Sequence, residues 1–342
     1  MCKTIKKCFL ERLTFENMLA AHKRASKGKK SKKEVILFEM DLETNLIRII
    51  DEIRNHKYKF GEYREFLVYE PKERIIKSLP YRDRIVHQWF VEEFVKPYYS
   101  KRFIKDTYAC IDGKGTHLAV EKTQEYMRKM KKQYGEYYVL KCDVKKYFYN
   151  IDKQVLLNIL KDKIKDKYLI DFIKVILDDG SDLGIPIGNF TSQYFANIYL
   201  NELDHFVKEQ LQIKYYIRYM DDFVLLVKDR ETAKALLTKI ESFLTNNLKL
   251  TLNSKSKYFP NKFGIDFCGY RIYETHIILR KRFKNKVNKS IRLWGKLKEE
   301  NRLNVDKCYR SWNSFKAHAS HANSYKYMKD KDRIMLYLYK DK

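Results

Sequence analysis

The sequence lacks the residue patterns that mark metal clusters, disulfide frameworks and membrane spans. None of its six cysteines forms a C-x-x-C pair, which argues against both a zinc site and a disulfide scaffold. No segment approaches the roughly 18 consecutive apolar residues that a membrane helix needs, and charged residues interrupt the N-terminal 19 residues where a secretion signal would lie. We therefore expect no membrane partner and a reducing, cytoplasmic location.

Glycine and proline are also scarce, with 11 and 5 residues. This scarcity excludes a flexible linker, and the chain has no internal repeat. Strand and helix patterns alternate without a glycine-rich phosphate-binding fingerprint, so we predict an α+β fold with an antiparallel sheet rather than a doubly wound one. Hydrophobic residues make up 44% of the chain and aromatic residues 15%, enough for a large core shared by two or three subdomains.

Acidic residues are few relative to basic ones, 44 against 71, which gives a formal net charge of +27. The excess lies at the two ends: residues 1–34 hold 11 Lys and Arg against 3 acids, and residues 280–342 hold 19 against 6. Two basic arms around a nearly neutral body predict a polyanionic partner, in the first place nucleic acid. A lysine-rich, AT-rich genome is the alternative explanation for the total, although it does not explain the distribution.

Short apolar, β-branched and aromatic runs predict two hairpins and an isolated strand, and the runs of the first hairpin alternate. Residues 66–68 and 75–79 flank a charged turn, and residues 215–218 and 223–227 flank Tyr-Met-Asp-Asp. Residues 137–143 form a short strand that ends in a carboxylate. A helix is expected to begin near a Thr191–Ser192 cap, with an apolar stripe that continues to Val207.

Three acids stand where a polymerase would need them. Asp143 ends a strand, and Asp221 and Asp222 lie at a hairpin tip. Phosphoryl transfer to a growing strand uses two divalent ions about 4 Å apart, which carboxylates from separate strands can hold. The alternative is an ordinary solvated turn, but both flanking strands are strongly apolar, and adjacent acids there are costly without a cation.

Five ordered motifs resemble those of reverse transcriptases, and the resemblance covers nearly the whole chain. They lie at residues 69–74, 143–148, 219–222, 252–256 and 267–270. The resemblance implies a right-hand polymerase fold with fingers, an antiparallel palm and a short helical thumb. The expected divisions are an N-terminal basic arm with fingers over 1–135, a palm over 136–278 with a fingers-side insertion near 158–184, and a helical thumb over 279–342.

The resemblance also implies the catalytic residues. Asp143, Asp221 and Asp222 match the metal ligands, and the backbone carbonyl of Val144 would complete one coordination sphere. The implied cofactor is a pair of Mg²⁺ ions, with Mn²⁺ as a possible substitute. Phe148 matches the steric gate, where a bulky ring leaves no room for a 2′ hydroxyl; the alternative is a plain core phenylalanine.

Further residues match contacts to the nucleotide and the primer. Lys72 and Arg74 match fingers residues that hold the incoming triphosphate, with a solvated basic turn as the alternative. Lys255 matches the lysine that protonates the leaving pyrophosphate, although Lys257 is close by and surface lysines are common. The matching primer-grip residues are Phe267, Cys268, Gly269 and Tyr270.

The segment 185–193 indicates the kind of reverse transcriptase. Most members resemble Gln-Gly-x-x-x-Ser-Pro here, whereas this chain reads Ile-Gly-Asn-Phe-Thr-Ser-Gln from Ile187 through Gly188 to Gln193. That form, like His-Ala-Asn-Ser-Tyr at 321–325, resembles diversity-generating retroelements, and it implies error-prone synthesis opposite template adenine. An amide at 187 can hydrogen-bond the nucleotide, but Ile187 offers apolar contact alone. The alternative is that Ile187 only packs beneath the following helix.

The chain length predicts a polymerase without RNase H, endonuclease or maturase extensions. The resemblance therefore implies partners: a structured template RNA, the cDNA, dNTPs and a small basic accessory variability protein, in the cytoplasm of a bacterial host. The arm over 280–342 is a candidate binding site because aromatics interleave with Lys and Arg, unless those aromatics form the thumb core. Two alternatives stay open, namely another bacterial reverse transcriptase (retron, group II intron or phage defence) and an RNA-binding scaffold without catalysis.

Overall fold

The computed structural model describes residues 4–69 and 73–339. These residues form two compact units. The first comprises the described residues up to Asp112 together with Cys142–Lys214 and Thr238–Ser256. The second comprises Gly113–Lys141, Tyr215–Leu237 and the described residues from Lys257 onward. The predicted fingers, palm and thumb boundaries stay a prediction.

Helices and strands follow one another through the chain as an α+β fold. Up to residue 134 the elements are α1 (Phe9–Arg12), α2 (Phe15–Ser26), α3 (Lys33–Glu39), α4 (Leu42–Arg54), β1 (Arg64–Val68), β2 (Arg74–Ser78), α5 (Tyr81–Phe90), a π-helical turn (Val91–Val95), α6 (Lys96–Tyr99) and α7 (Thr116–Tyr134). From there to residue 248 they are β3 (Tyr138–Asp143), α8 (Tyr147–Asn150), α9 (Lys153–Lys161), α10 (Lys167–Leu177), α11 (Phe190–His205), a second π-helical turn (Phe206–Gln210), β4 (Tyr216–Tyr219), β5 (Asp222–Val227) and α12 (Arg230–Leu248). The remaining elements are β6 (Lys257–Pro260), β7 (Ile265–Phe267), β8 (Tyr270–Ile272), β9 (Ile277–Leu279), α13 (Lys281–Glu299), α14 (Val305–Ala319) and α15 (Tyr325–Tyr339).

The strands form three sheets. The predicted hairpin of β1 and β2 is present, with Arg64 opposite Ser78 and Val68 opposite Arg74. A four-stranded sheet has the order β4-β5-β3-β6, and a three-stranded sheet has the order β7-β8-β9. The β4–β5, β3–β6, β7–β8 and β8–β9 pairs are antiparallel. The prediction of an α+β fold with antiparallel sheets is therefore confirmed.

The core of the first unit surrounds α11. Twelve of its sixteen residues are buried, which is typical of a helix enclosed on all sides. An aromatic cluster extends this core, with neighbouring ring centroids 5.3 to 6.2 Å apart. Its members are Phe9, Trp89, Phe90, Phe94 and Phe172.

Helix α11 begins earlier than the predicted Thr191–Ser192 cap. The N-cap residue is Asn189, whose side-chain amide donates to the Tyr63 hydroxyl at 2.8 Å. The Thr191 hydroxyl instead hydrogen-bonds Nδ1 of buried His87 at 2.8 Å. The capping prediction was wrong because the hydroxyl is used in the core, an outcome that local sequence does not encode.

Three helices close the second unit, as predicted for the basic C-terminal region. Trp312 of α14 is buried, and its indole N–H donates to Asp332 at 3.0 Å. Tyr309 and Tyr325 are 54% and 79% exposed. The aromatic residues of this region therefore divide between core and surface. No helix of the described residues is long and apolar enough to cross a membrane.

Candidate active site

The hairpin of β4 and β5, here called the acidic hairpin, presents two adjacent carboxylates. Tyr219 pairs with Asp222, so Met220 and Asp221 form a two-residue connection. Met220 has φ of +57°, a conformation that costs free energy for a residue with a Cβ and persists only where surrounding contacts enforce it. The fully buried Arg218 provides such a contact, because its Nη1 donates to the Met220 carbonyl at 3.0 Å.

Asp222 is paired with a lysine of the neighbouring strand. The Nζ of Lys141 lies 2.7 and 2.9 Å from the two carboxylate oxygens of Asp222. Both side chains are largely buried, at 20% and 28% exposure. A carboxylate so enclosed would be costly if left unpaired. This position thus already holds a cation.

The predicted primer-grip turn lies in the same unit. Phe267 pairs with Tyr270, and the two residues between them, Cys268 and Gly269, have φ of +48° and +92°, as a two-residue type I′ turn requires. Phe267 and Tyr270 are completely buried. Their side chains anchor the turn from both strands.

The primer-grip turn and the acidic hairpin are electrostatically coupled. Burial raises the pKa of the Cys268 thiol, and the Asp222 carboxylate raises it further, whereas Lys141 and Arg280 lower it. The Lys141 ammonium also lies 5.8 Å from the centre of the Phe267 ring, within cation–π range. Two motifs that are far apart in sequence therefore meet around Lys141.

Asp143 belongs to the first unit, where the segment after α12 positions it. Its Oδ2 accepts from the Asn253 side-chain amide at 3.0 Å, and its carbonyl accepts from the Asn253 N–H at 2.7 Å. Its own N–H donates to the Ser256 hydroxyl at 3.2 Å. Asn253 holds the carboxylate and Ser256 holds the backbone of Asp143, roles that the sequence did not reveal. The residue predicted to be functional in this segment is Lys255, whose side chain is exposed.

The Val144 carbonyl, a predicted metal ligand, is not used in the pairing with the neighbouring segment. It is bridged to Leu252 in an antiparallel arrangement, and the flanking hydrogen bonds run from Lys145 N–H to the Thr251 carbonyl and from Asn253 N–H to the Asp143 carbonyl. In such a non-hydrogen-bonded pair, the N–H and C=O of the paired residues point away from the partner strand. The Val144 carbonyl is therefore directed away from Leu252.

The predicted steric-gate residue lies beside the 185–193 segment. Phe148 belongs to the short helix α8, its ring is half-buried, and its backbone carbonyl accepts from the Ile185 N–H at 2.8 Å. The preceding Tyr147 is buried, and its hydroxyl donates to the Ala196 carbonyl at 2.6 Å. Tyr147 therefore lies in the core, and Phe148 lies at its edge.

The segment that contains Ile187 is attached to the hairpin of β1 and β2. The Lys77 N–H donates to the Ile187 carbonyl at 3.0 Å. Ile187 is half-buried, Gly188 is exposed and has φ of +127°, and Gln193 is exposed on α11. The structure thereby brings Phe148, Ile187 and β2 together in one unit.

Arg74 and Lys72 are the two predicted contacts to the triphosphate. Arg74 is the first residue of β2 and is exposed. Its exposure leaves the guanidinium accessible to a phosphate. Lys72 lies outside the described residues.

The acids suit a magnesium site in their chemistry. They offer hard carboxylate oxygens, which Mg²⁺ prefers, and Asp222 already binds the ammonium of Lys141. Across residues 4–69 and 73–339, no group of three or more His, Cys, Asp or Glu side chains is arranged to hold a metal ion. The three predicted ligands therefore have the oxygen donors that Mg²⁺ prefers. Asp143 belongs to the first unit, and Asp221 and Asp222 belong to the second.

A comparison with protein families identifies the chain. A family model described as reverse transcriptase (RNA-dependent DNA polymerase) matches residues 69–272, more than half of the chain, including all three acids and the primer-grip turn. The chain belongs to the reverse transcriptase family. The acidic hairpin, the strand ending at Asp143 and the turn at 267–270 are thus parts of a reverse transcriptase domain.

Individual relatives of this reverse transcriptase are distant. The putative COX1/OXI3 intron 2 protein of Saccharomyces cerevisiae is 23% identical over 282 residues, covering 63% of this chain and 31% of the yeast protein. Protein YkfC of Escherichia coli K12 is 24% identical over 233 residues, covering 56% of this chain and 61% of its own. The chain therefore spans less than two thirds of either relative.

Solved structures similar to this reverse transcriptase include two telomerases. One, from Candida albicans, was determined with a TWJ fragment of telomeric RNA; it has 14% identity and a TM-score of 0.48, covering 84% of this chain and 60% of that one. The other is an apo telomerase from Candida tropicalis, truncated from its C-terminal domain. It has 12% identity and a TM-score of 0.48, covering 69% of this chain and 60% of that one.

Proposed function

We propose that this chain is an active RNA-directed DNA polymerase of a diversity-generating retroelement. It would make error-prone cDNA from a template-repeat RNA, with errors concentrated at template adenines, for retrohoming into a variable gene. The observation that best supports polymerase activity is the acidic hairpin, with its fixed turn and its adjacent Asp221 and Asp222. The carrying observation for the retroelement is the pair Ile187 and Gln193.

In the proposed reaction, two Mg²⁺ ions, or Mn²⁺ in their place, would be held by Asp143, Asp221, Asp222 and the Val144 carbonyl. The chemistry supplied by those ions when bound is activation of the primer 3′ hydroxyl and stabilisation of the departing pyrophosphate. The primer 3′ hydroxyl would release its proton to solvent, and its oxygen would bond to the α-phosphorus of the dNTP while the bond from that phosphorus to pyrophosphate breaks. The rigid Asn253 contacts to Asp143 and the Arg218 contact to Met220 support preorganised ligands.

The remaining predicted residues position the reactants. Lys72 and Arg74 bind the triphosphate of the dNTP, and Lys255 donates a proton to the pyrophosphate. The half-buried ring of Phe148 excludes the 2′ hydroxyl of a ribonucleotide. The primer-grip turn at 267–270 aligns the primer end.

The proposal of low fidelity depends on the 187–193 segment. The hydrogen bond from Lys77 fixes the backbone at Ile187. A substitution at 187 therefore changes the side chain at this point without moving the backbone. An apolar side chain supplies no polar contact to the nucleotide, and the loss of one such contact is worth about 1 to 3 kcal/mol. Discrimination against mispairs rests on differences of this size.

Partners follow from the same proposal. Template RNA and cDNA would contact the basic surface, to which the exposed Tyr309 and Tyr325 of the C-terminal helices contribute. A small basic accessory variability protein is the proposed protein partner. A group II intron-like activity is the second candidate, since the yeast relative is an intron protein. To distinguish the two candidates, the chain is co-purified with the protein encoded by the neighbouring small open reading frame, and the bound RNA is sequenced. A repeat-like RNA supports the retroelement. An intron RNA supports the intron-like activity.

Primer extension on an RNA template tests the polymerase proposal. We expect wild type to incorporate dNTPs with Mg²⁺ and Asp221→Ala to lose at least about 10³-fold in rate, since a metal ligand is removed. Glu231→Ala, which removes an exposed acid at the start of α12, is the matched control and should retain activity. Full activity in Asp221→Ala would refute the metal assignment, and a wild type that binds RNA without extending primers would support a non-catalytic scaffold.

A further inference from the structure

Lys141 forms a short ion pair with the acidic hairpin. Its ammonium engages both oxygens of the Asp222 carboxylate, at 2.7 and 2.9 Å. A divalent ion bound by Asp222 must use at least one of those oxygens. A divalent ion on either oxygen would therefore lie within a few ångströms of the ammonium, where the two positive charges repel each other and compete for the carboxylate.

From this geometry we infer that Lys141 is an internal counter-cation for Asp222, which binds the carboxylate in the metal-free protein and is displaced when a divalent ion binds. The inference rests on the proposed polymerase function, in which Asp222 is a metal ligand. It assigns to Lys141 a positioning role. The pair keeps the carboxylate in place and reduces its electrostatic cost before the metal arrives.

The surroundings of Lys141 explain how displacement is tolerated. The Phe267 ring lies 5.8 Å from the ammonium, within cation–π range, and so offers a displaced ammonium a second partner. A lysine suits this role because its charge sits on a flexible four-carbon stem, whereas an arginine fork would bind the carboxylate in a fixed bidentate geometry. The side chain is 20% exposed, which leaves a path to water.

The alternative is that the pair is only a structural link between β3 and β5. Both interpretations predict some loss of stability when Lys141 is replaced. They differ in metal binding, because a structural link does not compete with an ion. Metal affinity in the absence of nucleic acid and nucleotide is therefore the deciding measurement.

The experiment titrates the full chain with Mn²⁺ and follows free Mn²⁺ by electron paramagnetic resonance. Removing the competitor in Lys141→Gln should tighten Mn²⁺ binding by about fivefold, the scale of a part-buried ion pair. The control is Lys257→Gln, because Lys257 is the cross-strand partner of Lys141 on β6 and carries the same charge. Its affinity should change by less than about twofold, since an exposed charge is screened.

A second measurement uses wild type alone, so that it does not depend on the folding of a variant. Amine acetylation, quantified residue by residue with mass spectrometry, should increase at Lys141 when Mg²⁺ is added and stay constant at Lys257. Unchanged acetylation of Lys141, or unchanged Mn²⁺ affinity in Lys141→Gln, overturns the inference. The Asp222→Asn variant distinguishes failure of the proposed metal site from failure of the proposed role of Lys141. If Asp222→Asn binds Mn²⁺ as wild type does, the metal site of the proposed function is wrong. If Asp222→Asn loses Mn²⁺ binding but Lys141→Gln has no effect, only the role of Lys141 is refuted.

Discussion

Gly188 lies against the backbone of Lys77 so closely that a Cβ added to Gly188 would be 2.5 Å from the Lys77 carbonyl oxygen. The same two segments are joined by the hydrogen bond from the Lys77 N–H to the Ile187 carbonyl. The glycine has φ of +127°, which residues with a Cβ rarely adopt. Glycine at 188 is thus required for the contact between β2 and the segment before α11.

Gly188→Ala should lower the free energy of unfolding by about 3 kcal/mol, because it adds a backbone clash to an unfavourable φ. Urea unfolding followed by circular dichroism measures the change. Gly180→Ala is the matched control, since Gly180 has φ of +78° and open space around its Cβ position; it should cost about 1 kcal/mol. Equal effects of the two substitutions would show that the approach to Lys77 is not tight.

Asn253 holds Asp143 through its side chain and its backbone. Asn253→Ala should raise the Mg²⁺ concentration needed for half-maximal primer extension by about tenfold, as loss of a contact that orients a ligand typically does. Ser254→Ala, an exposed change in the same segment, should leave that concentration unaltered. Saturating Mg²⁺ should rescue the Asn253 variant. A loss of activity that Mg²⁺ does not restore would indicate misfolding instead of weakened metal binding.

His87 predicts how stability depends on pH. Burial lowers the pKa of His87 to about 3, whereas an unfolded histidine has a pKa near 6.5. Below about pH 6.5 His87 is protonated in the unfolded chain but stays neutral in the folded chain. The free energy of unfolding therefore decreases as pH falls towards 3. This group alone should cost about 2 kcal/mol between pH 7 and pH 5.

His87→Asn should remove that share of the pH dependence. The measurement compares the free energy of unfolding at pH 7 and pH 5 in wild type and variant. His56→Gln, which changes an exposed histidine of the same unit, should keep the wild-type dependence. An unchanged difference between the two pH values in His87→Asn would mean that His87 is protonated in the folded protein.

Local patterns predicted the elements better than they predicted the contacts. Short apolar runs on either side of turn residues predicted both hairpins. Burial does not alternate along these strands, since β1 and β2 are exposed or half-buried and β4 and β5 are buried at most positions. The pairing of Lys141 with Asp222 joins residues 81 positions apart, and that of Asp143 with Asn253 joins residues 110 apart. Nothing near Lys141 or Asn253 in sequence encodes these partners, since they depend on strand order and on the path of the chain after α12.

The same limit explains the error at the start of α11. A threonine followed by serine before an apolar run is a reasonable capping signal. The Thr191 hydroxyl, however, hydrogen-bonds His87, which is 104 residues away in the sequence. The motifs around the acids were different. Residue type and order alone sufficed to place them in a reverse transcriptase, because the chemistry at each position permits few substitutions.

Ile187 provides the sharpest test of the retroelement proposal. The Lys77 N–H holds its backbone carbonyl, so Ile187→Gln should change the side chain at this position, a predicted nucleotide contact, and leave the backbone in place. An amide there restores a polar contact worth about 1 to 3 kcal/mol, which predicts a decrease in misincorporation at template adenine of about fivefold or more. Deep sequencing of cDNA copied from one defined RNA by wild type and variant gives the error spectra.

The matched control for this substitution is Ile185→Val. Ile185 is buried in the same segment, and the loss of one methyl group should cost about 1 kcal/mol of stability without altering the spectrum. If wild type already copies adenine as accurately as the other bases, the chain is a reverse transcriptase of another kind. If wild type is mutagenic at adenine and Ile187→Gln leaves the spectrum unchanged, Ile187 packs beneath α11 without a part in base selection, and the determinant of fidelity lies elsewhere in the nucleotide site.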